Sequence, residues 1–442
     1  MADVGGSASL RERAISTWEG VRSSFGFLTG VAMALGLVLG FVLPSVDAAL
    51  DLGDAPVFGF ADPEVGRSLL ETVATATVSV AGLSFSVTVV AFTLASSQLS
   101  PRVLRTFRAD RLSQATLACF LGTFIYCLAV LIRLGSADEG GSVPNLSITL
   151  AVALAVVSFA MFAAFIAHIV SMLQPSSIID GIRATGRRSL ESPYPAGVGE
   201  TPDTAAAERA LLRTRDGDGG RPVRADRQGY VSTVYATRLL TSAAGCDAVV
   251  VQRVQIGEYV IPGLLLADVW CADHGRREDL VATVRAAFVL GRQRTPVQDP
   301  AFAVRQLADI ALKGLSPGIN DPTTAQNAME ALTALLVRFA TGDPVSRLRA
   351  DEHGVVRLVA LAPDLDDLVR LGFEQVRVFA ASDPAVSRRL LTLLARIDEA
   401  ARSAGIRCIE PAHQAALIAE GCGASLATGA DAASVRAHHA AL

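Results

Sequence analysis

Four apolar stretches constrain this chain more than any other feature: Phe25 to Leu43, Leu69 to Ser96, Ser113 to Leu134 and Leu146 to Leu173. Each is as long as the ~18 to 20 residues that a helix rising ~1.5 Å per residue needs to cross ~30 Å of hydrocarbon. Lipid offers the backbone no hydrogen-bond partners, so each stretch is expected to be a transmembrane helix. The remaining sequence is too polar for lipid: 51% of all residues are hydrophobic and 19% charged. A membrane part followed by soluble domains accounts for both numbers.

Arginines set the expected orientation. Arg11, Arg13 and Arg22, then Arg102, Arg105, Arg108 and Arg111, then Arg183, Arg187 and Arg188 fall on one side of the spans. By the positive-inside rule that side is the cytoplasm, which places both termini there. The other side carries Arg67 and the border residue Arg133 among Asp47, Asp51, Asp54, Asp62, Glu64, Asp138 and Glu139. A rival reading takes the first span as a signal peptide cleaved near Val46-Asp47-Ala48, but its apolar run exceeds the usual signal core of about 7 to 15 residues. The net charge of −4, with Lys313 the sole lysine, gives no basic face for phosphates and argues against nucleic acid as a partner.

The second span carries a patterned seam. Thr72, Ser79, Ser86, Thr93 and Ser100 recur every seven residues, with Thr75, Gly82 and Ser96 three positions after members of that row. Such a stripe either packs helices closely or lines a hydroxyl-bearing path shared between copies. Thr72, Thr75, Ser79, Gly82, Ser86, Thr93 and Ser96 are the pore-lining or helix-packing candidates. The first span has Gly26-x-x-x-Gly30 and Gly36-x-x-x-Gly40, suited to tight helix contact. The centres of all four spans lack Asp, Glu, Lys and Arg, which lowers the case for proton relays, ion-coupled transport and voltage sensing. His168, near the end of the fourth span, reads as an interfacial side chain.

The expected layout is an N-terminal cytoplasmic segment (1–24), a four-span transmembrane domain (25–175), a juxtamembrane helix and linker (176–228), a small β-rich module (229–274), a helical cytoplasmic domain (275–420) and a flexible tail (421–442). The class is therefore an α+β membrane protein. Short β-rich runs at Tyr230 to Val234, Ala248 to Val251 and Leu264 to Val269 suggest a small barrel or sandwich. The turn Gly257 to Gly263 looks like that of biotinyl and lipoyl carrier modules, yet no lysine lies there, so no cofactor is expected. Asp299-Pro300, Asp321-Pro322, Asp343-Pro344 and Asp383-Pro384 each set an N-cap acceptor before a proline at the first helical position. Helices are expected near 279–290, 300–314, 322–340, 364–380 and 384–404, with a short strand at Val355 to Val359.

Gly314-Leu315-Ser316-Pro317-Gly318 has the spacing of a nucleophile elbow, but a helix precedes it and Pro317 has no N–H for an oxyanion hole. It reads instead as the turn of a tight helical hairpin. The alternative use of that turn is anion or partner binding at the second helix's N-terminus, with Arg294, Arg305, Lys313, Ser316, Asn320 and Asp321 as the ligand or partner candidates. The six cysteines show no metal spacing, and neither a Walker loop nor a Rossmann fingerprint is present, so no metal and no enzymatic activity are expected.

Three segments carry a resemblance: Ser84 to Arg102; Gly291-Arg292-Gln293-Arg294-Thr295 with Gln298-Asp299-Pro300; and Leu315 to Ala325. Together they resemble the bacterial predicted-membrane-protein family called domain of unknown function 2254, over roughly Gly20 to Arg407. The resemblance implies a multi-pass protein of the bacterial inner membrane and supplies no activity. From the residues, the expected function is an oligomeric, channel-like conduit gated by the cytoplasmic domain, with a small ion or a cytoplasmic ligand as the expected small partner. The alternative is a membrane-anchored sensor or scaffold binding a cytoplasmic ligand or protein. The partners expected are the lipid bilayer and further copies of the chain.

Overall fold

The computed structural model describes residues 25–50, 63–98, 111–135, 145–191, 194–203, 220–271, 277–296, 298–343 and 345–442. Arg11, Arg13, Arg22, Ser100, Arg102, Arg105 and Arg108 lie outside the described residues, as does the side chain of Ser96. The chain forms two compact units that meet in sequence between Gln174 and Pro175.

The first unit is helical: α1 (Phe25–Leu50), α2 (Pro63–Gln98), α3 (Arg111–Gly135) and α4 (Asn145–Met172). All four are long and apolar enough to cross a membrane. The helix α3 packs against each of the other three. Its approach to α1 depends on glycine: a Cβ at Gly40 would sit 2.5 Å from the Ala129 Cβ and 2.9 Å from the Tyr126 carbonyl, and one at Gly36 would strike the Gly122 carbonyl. Close backbone contact recovers the dispersion attraction that drives helix association where lipid supplies no hydrophobic force. Gly26 and Gly30 have no neighbour within 4 Å of such a Cβ, so among the described residues only the second glycine pair makes a close helix contact.

Between α3 and α4, the Ser158 hydroxyl lies 3.2 Å from both the Cys119 sulfur and the Thr123 hydroxyl, and Phe120 meets Phe159 edge-on at 6.0 Å. The Tyr126 hydroxyl donates to the Ser147 carbonyl. Asp47, on the far end of α1, caps α4: its carboxylate accepts from the Ser147 amide at 2.9 Å, the Ser147 hydroxyl at 2.7 Å and the Leu146 amide at 3.2 Å. Those amides belong to the first turn, where no intrahelical acceptor exists. The stretch weighed as a cleavage site is thus continuous helix with its acid engaged.

The second unit opens with α5 (Pro175–Glu191), whose Ile179, Ile182, Gly186 and Ser189 are buried. It continues through β1 (Arg221–Arg224), β2 (Gly229–Val234), α6 (Ala236–Gly245), β3 (Ala248–Gln252), β4 (Tyr259–Val260), β5 (Leu265–Cys271), α7 (Arg277–Ala286) and β6 (Phe288–Gly291). The helices α8 (Pro300–Gly314) and α9 (Pro322–Ala340) follow, then β7 (Leu348–Ala350), β8 (Val356–Val359), α10 (Leu365–Ala380), α11 (Pro384–Ser403), α12 (Glu410–Ser425) and α13 (Gly429–Ala440). The helix α5 lies on α8 and α9, where a Cβ at Gly186 would come within 2.8 Å of Ala303 and Leu335.

The strands do not close a module of their own. They form two sheets, β1-β5-β3-β8-β7 and β4-β2-β6, and the larger takes β7 and β8 from about a hundred residues downstream, β3 and β8 being parallel. Two local expectations differ from the structure. Residues 236–245 are helical because Leu239, Leu240 and Ala243 bury one face, and the helix expected over 279–290 ends at Ala286 so that Phe288 to Gly291 can pair with β2. The stretch expected to be a flexible tail is also helical: Val435 is fully buried and His438 lies 2.9 Å from the Thr392 hydroxyl, so alanines there pack instead of fraying.

Two substitutions test the first unit. Asp47→Ala is expected to cost about 2 kcal/mol by stranding the α4 amides. Gly40→Leu is expected to cost about 1–3 kcal/mol by overpacking, while Gly30→Leu leaves stability unchanged. Thermal unfolding of the purified full chain in detergent reads all three.

Candidate functional site

The outward seam is the first sequence candidate. Thr72, Thr75, Ser79, Gly82, Ser86 and Thr93 are all exposed on α2, on the face away from Leu70, Ala74, Thr77, Ala81 and Ser84, which are buried within the unit. Their hydroxyls turn back onto the helix: Thr72 donates to the Ser68 carbonyl, Ser79 to Thr75, Ser86 to Gly82 and Thr93 to Val89. Such back-bonding makes the stripe tolerable in an apolar medium. Gly82 has nothing within 4 Å of a would-be Cβ. The seam is therefore a slim strip, its hydroxyls bonded back to the helix, that no other helix among the described residues of the unit covers.

The second set of candidates sits around α8 and α9, in structural duties. Asp321 caps α9 by accepting from the Thr324 amide at 3.0 Å, and hydrogen bonds from Thr324 hold its carboxyl below the usual carboxylate range. Asn320 takes a left-handed φ of 49°, Ser316 donates to the Lys313 carbonyl at 2.6 Å, and the Asp321 amide donates to the Gly314 carbonyl. Any residue larger than glycine at 314 would press on that Asp321 carbonyl and on Ala325. The segment Gly314 to Ala325 thus reads as a helical hairpin turn. Arg305 pairs with Asp309 at 3.0 Å and reaches Gln375.

Arg294 leads to a different place. It forms a two-pronged pair with Asp299, Nε to Oδ2 at 2.9 Å and Nη2 to Oδ1 at 3.0 Å, and its guanidinium lies 5.5 Å from the Phe302 ring centre. Asp299 is 2% exposed and caps α8 by accepting from the Phe302 amide. Burial pushes its carboxyl above the usual range, and Arg294 with the Phe302 and Ala301 amides only partly pulls it back. Gly257, at φ 89°, makes room for the pair, since a Cβ there would lie 2.6 Å from Arg294 Nη2. Nearby, Gln298 accepts from the Val234 amide and Thr295 donates to the Ser232 carbonyl. The segment Arg294 to Pro300 therefore clamps the three-stranded sheet onto the first turn of α8.

Beside this clamp lies a cavity of about 480 Å³. Leu190 and Glu191 of α5, Tyr194, Ile256, Gln298 to Pro300, Arg338 and Phe339 near the end of α9, Gly342, Asp343 and Leu361 to Leu365 are among the residues that line it. Its size lies within the ~300–1,000 Å³ typical of small-molecule sites. Gln252, 3% exposed at the end of β3, holds two parts of the wall: its Oε1 accepts from the Tyr194 hydroxyl at 2.7 Å and from the Leu361 amide at 3.2 Å. Of the sequence candidates, Arg294 alone comes close to this cavity, through Asp299. Tyr194, Gln252, Ile256, Phe339 and Leu361 escape sequence reasoning because they come from separate segments and share no local spacing. Gln252, a polar residue closing the apolar run Ala248 to Val251, is the one signal in the sequence that could have drawn attention to this wall. Cys408 offers no ready nucleophile: burial and the neighbouring Asp366 carboxylate push its thiol up to about 12.

Removing Arg294 leaves Asp299 buried without its partner. Arg294→Ala is expected to destabilise the chain by about 3–5 kcal/mol at pH 8. Because burial raises the folded-state pKa of Asp299, protonation relieves the strain, so the deficit shrinks on acidification from pH 8 to pH 5. Melting of wild type and variant across that range measures it; a deficit that grows on acidification contradicts the assignment.

Comparison with known proteins adds a family. The family described as predicted membrane protein, domain of unknown function 2254, matches residues 22–396. Uncharacterized proteins of Mycobacterium bovis and of two Mycobacterium tuberculosis strains are each 29% identical over 398 residues, covering 85% of this chain and 74% of theirs. No solved structure matches the chain.

Proposed function

We propose, starting from the chain's membership of the domain of unknown function 2254 family of predicted membrane proteins, that it is a membrane-anchored receptor whose second unit binds a small molecule. The observation that carries this reading is the cavity of about 480 Å³ beside the Arg294–Asp299 clamp. Its wall joins α5, which directly follows the last apolar helix in sequence, to the connections after β3 and β8 and to α8, α9 and α10. A ligand that draws these segments together is placed to alter the chain segment leading to the membrane. The arginine distribution supports a bacterial inner-membrane location with both termini and the binding unit in the cytoplasm. No catalytic step is part of this reading.

The outward seam of α2 favours a second reading, in which copies of the chain associate through Thr72, Ser79, Ser86 and Thr93 and enclose an uncharged path for a small ion. Liposomes holding the purified chain would then pass ions, and Ser79→Ala with Ser86→Ala would change the flux. Liposomes that stay tight under all voltages and osmotic loads exclude it.

The receptor reading is tested by filling the cavity. Ala196→Trp and Ala362→Trp place a large ring in the wall. A thermal-shift screen of a small-molecule library on the full chain in detergent is expected to find compounds that raise the wild-type melting temperature by several degrees and leave both filled variants unmoved. A screen in which no compound distinguishes wild type from the filled variants rejects the reading.

A further inference from the structure

We propose that the cavity selects an uncharged, largely apolar ligand with a flat aromatic or fused-ring body; this rests on the receptor reading. Several acids line the space, yet most already have a counterpart. Asp299 pairs with Arg294, and Glu191 with Arg187 at 3.3 Å. Asp364 caps α10 by accepting from the Asp367 amide at 2.8 Å, which answers the positive end of that helix. Asp343 and Arg338 are both exposed and bring one charge of each sign to the same rim. An anion would leave water for a wall rich in acids, and a cation would meet acids already matched by an arginine or, at Asp364, exposed and turned to the first turn of α10, so the desolvation of either ion is poorly rewarded.

The polar groups of the wall are also largely committed to the fold. The Tyr194 hydroxyl is used on Gln252 and the Gln298 carbonyl on the Val234 amide. Tyr194 therefore presents its ring to the cavity and not its hydroxyl. Across the lining, Phe339, Ile256, Leu361 and Ile406 add apolar surface. Two aromatic side chains among aliphatic ones favour a planar apolar body, which gains from both area burial and ring contacts.

Three dyes of one skeleton separate the outcomes. N-phenyl-1-naphthylamine is uncharged, its 8-sulfonate is an anion, and the trimethylammonium-substituted analogue is a cation. Each is titrated by fluorescence against the full chain in detergent, and the signal of Ala196→Trp and of Ala362→Trp is subtracted to isolate the cavity. The expected result is a cavity-dependent component for the uncharged dye at least ten-fold tighter than for either ion, with both variants melting within a few degrees of wild type. If one variant fails to fold, the other gives the subtraction. Cavity-dependent binding of an ion as tight as that of the neutral dye overturns the selectivity while leaving the receptor reading intact. No cavity-dependent component for any dye also overturns it, and the library screen then decides whether the receptor reading falls as well.

Discussion

The second unit depends on burying one carboxylate. Asp299 must be satisfied from several sides at once, because an isolated charge in a low-dielectric interior is too costly to keep. The Phe302 amide, the Arg294 guanidinium and the missing side chain at Gly257 together meet that demand. In doing so they bring the turn before β4, the segment after β6 and the first turn of α8 to a single point. The sheets and the helices could each form without this contact, but their mutual position follows from it. The cavity wall starts at the same residues, so the joint of the unit and its candidate site are physically continuous.

The unit of four apolar helices follows a different rule. Its helices satisfy their own backbones, and what remains is how closely they approach and how their ends are capped. Gly36, Gly40 and Gly122 permit the approach of α1 and α3, while Asp47 satisfies the α4 amides. The hydroxyls of α2 divide into two stripes: Thr77 and Ser84 lie within the unit and Ser79 and Ser86 outside it, all bonded back to their own helix. A hydroxyl spent in this way is neutral towards its surroundings, which is why the seam is compatible with lipid, with another copy, or with a narrow path.

Two of the three motifs that carried the family resemblance turn out to be structural joints. Arg294 to Pro300 clamps sheet to helix, and Gly314 to Ala325 turns α8 into α9. Both were legible as local chemistry: of the four Asp-Pro pairs, three gave N-caps, at Asp299, Asp321 and Asp383, while no helix follows Asp343 among the described residues. Their legibility comes from capping being a contact between residues two or three apart. The cavity was illegible for the opposite reason, since Tyr194, Ile256, Phe339 and Leu361 meet only after the strands have paired and the helices have packed.

The sequence by itself determined the four apolar helices, the long helices of the second unit and the hairpin between α8 and α9. Each rests on hydrophobic runs, helical periodicity or caps, which act over a few residues. Tertiary structure alone decided that β7 and β8 join the larger sheet, that the chain beyond Gly421 folds back as a helix, and that one glycine pair of α1 packs against α3 while the other does not. Pairing and packing of that kind depend on which distant surfaces complement one another, and no local pattern of residues encodes the partner.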